Sequence, residues 1–161
     1  MNTATTTETT TLTPYDQQAQ AFLDRHGLKI RVTRRSDGCP GWASDTMRPA
    51  DKCGCSKCGA IHGDRYRVTI YAQARGRLAF DFWGSYADMK AGKDPAAYNV
   101  LACISGDLYT PETFADFCGE YGYDGDSRKA FLLFKRCDRF ARRLRAFFKD
   151  EDERAELAEI Q

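Results

Sequence analysis

Three short stretches of the chain alternate apolar and polar residues, and the stretches around them repeat apolar residues every three to four positions. Leu28, Ile30 and Val32 alternate with Lys29, Arg31 and Thr33, the pattern of a half-buried strand. Tyr66, Val68, Ile70 and Ala72 form the inward set of a second strand, and Leu78, Phe80 and Phe82 that of a third. Both of these sets are even-numbered, so facing residues must sum to an even number, which excludes a two-residue turn. A three-residue loop, Ala74-Arg75-Gly76, with Gly76 left-handed, satisfies that parity. It pairs Thr69 with Asp81 and Arg67 with Trp83 on the outer face. The expectation is a twisted antiparallel meander with helices covering its apolar side.

The remaining periodicity is helical. Thr13-Pro14 supplies a hydroxyl cap and a proline at the first helical position, Tyr15, Ala19, Phe22, Leu23 and His26 follow at helical spacing, and Gly27 stops the run. Asp94-Pro95 opens a helix through Ala97, Val100, Leu101 and Ile104 that Gly106 closes. Thr110-Pro111 opens another, with Phe114, Phe117, Cys118 and Tyr121 as its apolar set. Asp126 is placed to cap the longest helix, roughly 127–148, whose stripe is Phe131, Phe134, Cys137, Ala141, Leu144 and Phe148, widened by Phe140 and Phe147. A short acidic segment with helical character ends the chain. The fold class expected is α+β: the meander packed against an N-terminal helix and a C-terminal helical half.

Length and composition fit one domain. The chain has 161 residues; its Thr-rich start, residues 1–13, is expected to be a disordered tail, and residues 14–161 a single domain. Residues 1–13 have no apolar run, basic n-region or small-residue cleavage site, and no stretch approaches the ~18 apolar residues of a membrane span. A cytoplasmic setting with reduced thiols follows as the expectation. The formal net charge of +1 decides nothing, but its distribution is polarised. Residues 107–126 carry acids and no base, residues 128–149 carry nine bases against the single acid Asp138, and residues 150–161 return to six acids against Arg154.

Clustered cysteines in a reducing compartment read first as metal ligands. Cys55-Ser56-Lys57-Cys58-Gly59 has the form of a zinc knuckle: two thiolates three positions apart reach one tetrahedral ion, and the glycine permits the turn whose amides donate to sulfur. With Cys53 and Cys39 they supply four thiolates within the loop 36–63, and His62 is an alternate ligand for one of them. A four-ligand site leaves no open position, so the zinc would be structural. Reduced or disulfide-paired cysteines and an iron–sulfur cluster are the competing readings. Cys103, Cys118 and Cys137 fall on apolar helix faces and read as small core residues.

No catalytic pattern stands out. Asp124 and Asp126 resemble half of a calcium loop but lack its spacing and terminal glutamate, so capping is the better account. No phosphate-cradling loop or zinc-protease pair appears. The long helix presents Lys135, Arg136, Arg139, Arg142, Arg143 and Lys149 opposite its stripe, either as a phosphate-binding surface or as a solvated face compensated by the acidic helix 111–121 and the acidic tail. Arg67 and Trp83 are candidates for a cation–π pair or a partner contact.

Three runs also prompt recognition: Asp94 to Cys103 (DPAAYNVLAC), Pro111 to Cys118 (PETFADFC) and Tyr121 to Ala130 (YGYDGDSRKA). Here the sequence resembles a family of small uncharacterised accessory proteins of phages, prophages and integrative elements. The likeness reaches back through the hairpin and loosely to the first helix, and the sequence departs from such relatives in its cysteine loop. The resemblance implies a non-enzymatic protein that binds stoichiometrically to a host protein or ribonucleoprotein complex, as an anti-CRISPR or other anti-defence inhibitor does. A zinc-knuckle nucleic-acid-binding protein using the basic helix is the alternative, and a thiol-dependent enzyme a remote third. No membrane and no small-molecule substrate are expected as partners.

Overall fold

A computed structural model describes residues 11–34, 65–83 and 92–160 of the chain. Helix α1 (Pro14–Arg25) is followed by strands β1 (Leu28–Arg34), β2 (Arg65–Ala72) and β3 (Gly76–Trp83). Helices α2 (Ala97–Leu108), α3 (Phe114–Tyr121), α4 (Arg128–Phe147) and α5 (Glu151–Ala158) complete the described elements. The strands form one antiparallel sheet in the order β1-β2-β3, so the α+β meander is as the alternation predicts. The zinc-knuckle loop 36–63 lies outside the described residues.

α1 begins where its cap dictates. Thr13 Oγ1 accepts the Asp16 amide at 3.1 Å, the Asp16 carboxylate accepts the Thr13 amide in return, and Pro14 occupies the first turn. Gly27 follows α1 at φ 62°, a left-handed conformation that suits the missing Cβ. Other boundaries shift from expectation. α2 starts at Ala97, after the buried Pro95, and runs past Gly106 because Leu108 still points into the core. Thr113, rather than Thr110, caps α3 by accepting the Asp116 amide at 3.1 Å. Ser127, rather than Asp126, caps α4 by accepting the Ala130 amide, while Asp124 accepts the Asp126 amide and closes the preceding turn.

The sheet register also differs from the sequence reading. Arg67 faces Asp81 and Thr69 faces Ala79, one pair-step from the expected Arg67–Trp83 and Thr69–Asp81. A two-residue slip preserves parity, so the inward set is unchanged. The turn decides it: Arg75 N–H donates to the Ala72 carbonyl at 3.1 Å, closing the loop over Gln73, Ala74 and Arg75. Gly76 keeps its left-handed conformation, φ 77°, as the first residue of β3.

The inward residues Val68, Ile70, Leu78, Phe80 and Phe82 pack on α1, α2, α5 and the C-terminal half of α4 in one core. A smaller core joins α3 to the N-terminal half of α4 through Phe117, Leu133 and Phe134. α4 therefore serves two cores with one face. Leu133 is buried there, whereas Phe131 is 44% exposed and meets Phe114 edge-on at 5.3 Å. Cys118 is buried and Cys103 and Cys137 are half-buried.

Candidate functional site

With its stripe turned to the two cores, α4 sends its remaining positions outward. Arg128, Lys135, Arg139 and Arg142, spaced by three, four and seven residues, share that outer face and are exposed. Arg143 is exposed beside them and Arg136 half-buried. Asp138, the one acid of the helix, is 8% exposed at the edge of the buried face. It takes two contacts from Arg142 one turn on, at 3.2 Å to Nε and 3.0 Å to Nη2. Arg143 donates to the Ala79 carbonyl of β3, with its guanidinium carbon 5.8 Å from the Phe140 ring centre. Arg145 points the other way and donates to the Leu108 carbonyl at the end of α2, at 2.9 Å. At about 1.5 Å per residue the outer face is about 30 Å long.

Two acids of α5, Glu153 and Glu156, turn away from this face. Glu153, 3% exposed, accepts two hydrogen bonds from Arg75 of the hairpin turn, at 2.7 and 2.8 Å, and lies 3.7 Å from His26 Nδ1. Glu156 pairs with Arg25 and lies 2.6 Å from His26 Nε2. Two of the acids at the end of the chain thus tie down α1 and the hairpin. This cluster carries no sequence signal: α5 has no apolar stripe to mark 153 as an inward position.

Arg67 donates to the buried Asp81 at 3.0 Å, so its described ion pair is with the carboxylate two residues before Trp83. Trp83 ends β3 opposite Arg65. The proposed zinc ligands Cys39, Cys53, Cys55 and Cys58, and the alternate His62, all lie outside the described residues. Among the described residues, no group of three or more His, Cys, Asp or Glu side chains is placed to hold a metal ion.

Among the described residues, two groups titrate away from their ordinary values. Burial pushes the Cys118 thiol up from near 9.0, and the Asp124 carboxylate adds to it. Burial likewise raises the Tyr123 phenol above 10.0, with a smaller push from Cys137. A thiol held protonated is a poor nucleophile, which favours a core role for Cys118.

Beside the N-terminal half of α4 runs a groove of about 530 Å³. Its described lining includes Tyr123, Leu132 and Leu133 with Lys135, Arg136 and Arg139. A second cleft, about 470 Å³, opens between the β2–β3 turn and the far end of α4. Among the described residues no helix is long and apolar enough to cross a membrane. No protein-family model, curated protein or solved structure matches the chain.

Proposed function

We propose that this is a binding protein that engages the phosphate backbone of a nucleic acid, within a host ribonucleoprotein complex, through the outer face of α4. The observation that carries the reading is the charge segregation on that helix: Arg128, Lys135, Arg139 and Arg143 are exposed, while its only acid, Asp138, is buried and engaged by Arg142. Exposed cations spread along about 22 Å match a polyanion with regularly spaced charges better than a single small ligand. The test is fluorescence anisotropy with an oligonucleotide of about 20 nucleotides across a salt series, with Lys135→Glu/Arg139→Glu alongside. Affinity should fall steeply with salt, and the variant should weaken binding and flatten the salt slope by about one unit per lost contact. No binding, or binding indifferent to salt and to the variant, would overturn the reading.

A second reading is stoichiometric inhibition of a host defence complex, such as a CRISPR effector, by contact with its protein subunits. It draws on the resemblance to mobile-element accessory proteins and on the groove, where exposed Leu132 adjoins the basic residues. Co-elution with a purified complex, before and after nuclease treatment, separates the two. Loss of the complex on nuclease treatment favours the phosphate reading, and retention favours the protein contact.

A further inference from the structure

We infer that the groove beside the N-terminal half of α4 receives an unstacked base, so that the nucleic acid engaged by this helix is single-stranded. The inference rests on the reading of α4 as a phosphate-facing surface and deepens it. The groove measures about 530 Å³, and its lining includes Tyr123, Ala130, Leu132, Leu133, Lys135 and Arg139. That volume lies within the range of small-ligand sites, about 300–1,000 Å³.

Helical spacing divides this lining into an apolar and a charged part. Ala130 and Leu133, three residues apart, share one side of α4 and are 1% and 6% exposed. Leu132 stands 54% exposed at the mouth. Lys135 and Arg139 follow it by three and seven residues, so they lie on the same side of the helix as Leu132, and both are exposed. They are one turn apart, about 6 Å along the axis, and they also belong to the outer cation row. A strand with phosphates on these two residues therefore passes beside the mouth of the groove.

A single exposed leucine on a helix is ordinary. Its position here, between a buried apolar wall and two exposed cations, joins the two surfaces that a nucleotide needs. The side chains of Ala130, Leu132 and Leu133 have no donor for a phosphate oxygen, but they suit the flat face of a base. Tyr123 adds a ring that is held before any ligand arrives: it lies 6.0 Å from the Phe117 ring with planes 9° apart, and Phe117 in turn packs on Phe134 of α4 at 5.4 Å. Cations that track the backbone beside apolar and aromatic side chains that take the bases are the general means of holding a single strand. A duplex keeps its base faces stacked inside and shows only their edges, so it can fill the cation row but not the groove.

An acidic peptide with an apolar anchor has related chemistry. The nucleic acid is favoured because the row does not end at the groove: Arg128 continues it, and Arg128 to Arg139 spans about 17 Å of helix. A repeating charge fits that length better than one anchored side chain does.

The experiment measures fluorescence anisotropy of the full-length protein with a single-stranded oligonucleotide of about 20 nucleotides, with an abasic strand carrying the same number of phosphates, and with a duplex of the same length, each across a salt series. The strand with bases should bind about tenfold or more tightly than the abasic strand. Leu132→Ala, at an exposed position, and Tyr123→Leu, which keeps an apolar side chain against Phe117, should each shrink that gap to about threefold or less while leaving abasic and duplex binding unchanged. Lys135→Glu/Arg139→Glu should weaken all three ligands. Equal affinity for the base-bearing and abasic strands, or a gap unchanged in both groove variants, overturns the groove and leaves the α4 reading standing. Base-dependent binding that is lost in Leu132→Ala but indifferent to salt upholds the groove and overturns the α4 reading. A complex with a host protein that survives nuclease treatment and is lost in Leu132→Ala assigns the groove to a protein contact and overturns the inference.

Discussion

The carboxylate of Glu153 lies among five other acids at the end of the chain, yet it is withdrawn from water and held by Arg75. Burying a carboxylate costs several kcal/mol, which only a well-formed pair and further hydrogen bonds offset. Here two bonds from Arg75 supply the pair, and the Asp150 carboxylate fixes the backbone by accepting the Glu153 amide at 2.9 Å. Arg75→Ala is therefore expected to cost about 3–5 kcal/mol in urea unfolding, because it strands a buried charge. Arg75→Met combined with Glu153→Leu should cost less than either single truncation, which a double-mutant cycle reads directly. Cys118 gives a second test at this scale. Its thiol is raised in the folded state, so its contribution is fully present below the unfolded value near 9.0 and is lost as pH climbs through the folded value. Stability should fall as pH rises above 9.0, and Cys118→Ala should flatten that fall in denaturation curves collected across alkaline pH.

At the scale of elements, caps and turns set the boundaries that periodicity leaves loose. Gly76 adopts φ 77° with nothing within 4 Å of where a Cβ would stand, so Gly76→Ala tests backbone conformation alone. It should destabilise by about 1 kcal/mol, as should Ser127→Ala through the lost cap of α4, both measured as shifts in the urea midpoint. The strands were legible because their inward residues alternate without a break, and every one assigned to β2 and β3 is buried. The register was legible only to parity: a slip of two residues leaves the same side chains inward, and the Arg75–Ala72 turn bond that chooses between the two cannot be read from hydrophobicity. The α4 stripe was legible in outline. Phe131 and Leu133 exchanged roles because the second core is built by α3, whose docking depends on tertiary contacts absent from a helical wheel.

Over the whole molecule, a net charge of +1 conceals a sorted surface. Glu153 and Glu156 of α5 hold α1 and the hairpin, while Arg128, Lys135, Arg139 and Arg142 of α4 face outward and Arg145 turns to the end of α2. Sequence blocks announced the polarity, but not which acids would be consumed internally, since that depends on the packing of α5 against α2. The cysteine cluster is a separate matter, read from spacing alone. Purified protein is expected to carry about one zinc per chain by elemental analysis, lost in Cys55→Ser/Cys58→Ser, with helical and sheet signals largely kept on chelation. The β1–β2 ladder gives that last expectation its basis, because seven residue pairs from Leu28↔Ala72 to Arg34↔Tyr66 join the strands on their own. The same ladder ends where the cysteine-bearing segment departs and returns, at neighbouring positions of one sheet. Such a junction behaves as a graft point: the chain leaves the sheet at Arg34 and re-enters it at Arg65, on two paired strands. Shortening the splice from about 30 residues to a tight turn changes the closure entropy by only about 1–2 kcal/mol. A version carrying a short turn in place of residues 35–64 should fold, with near-native amide dispersion in α4 and the hairpin. If it does, the domain is a platform on which a lineage can exchange the inserted piece without rebuilding what lies beneath it.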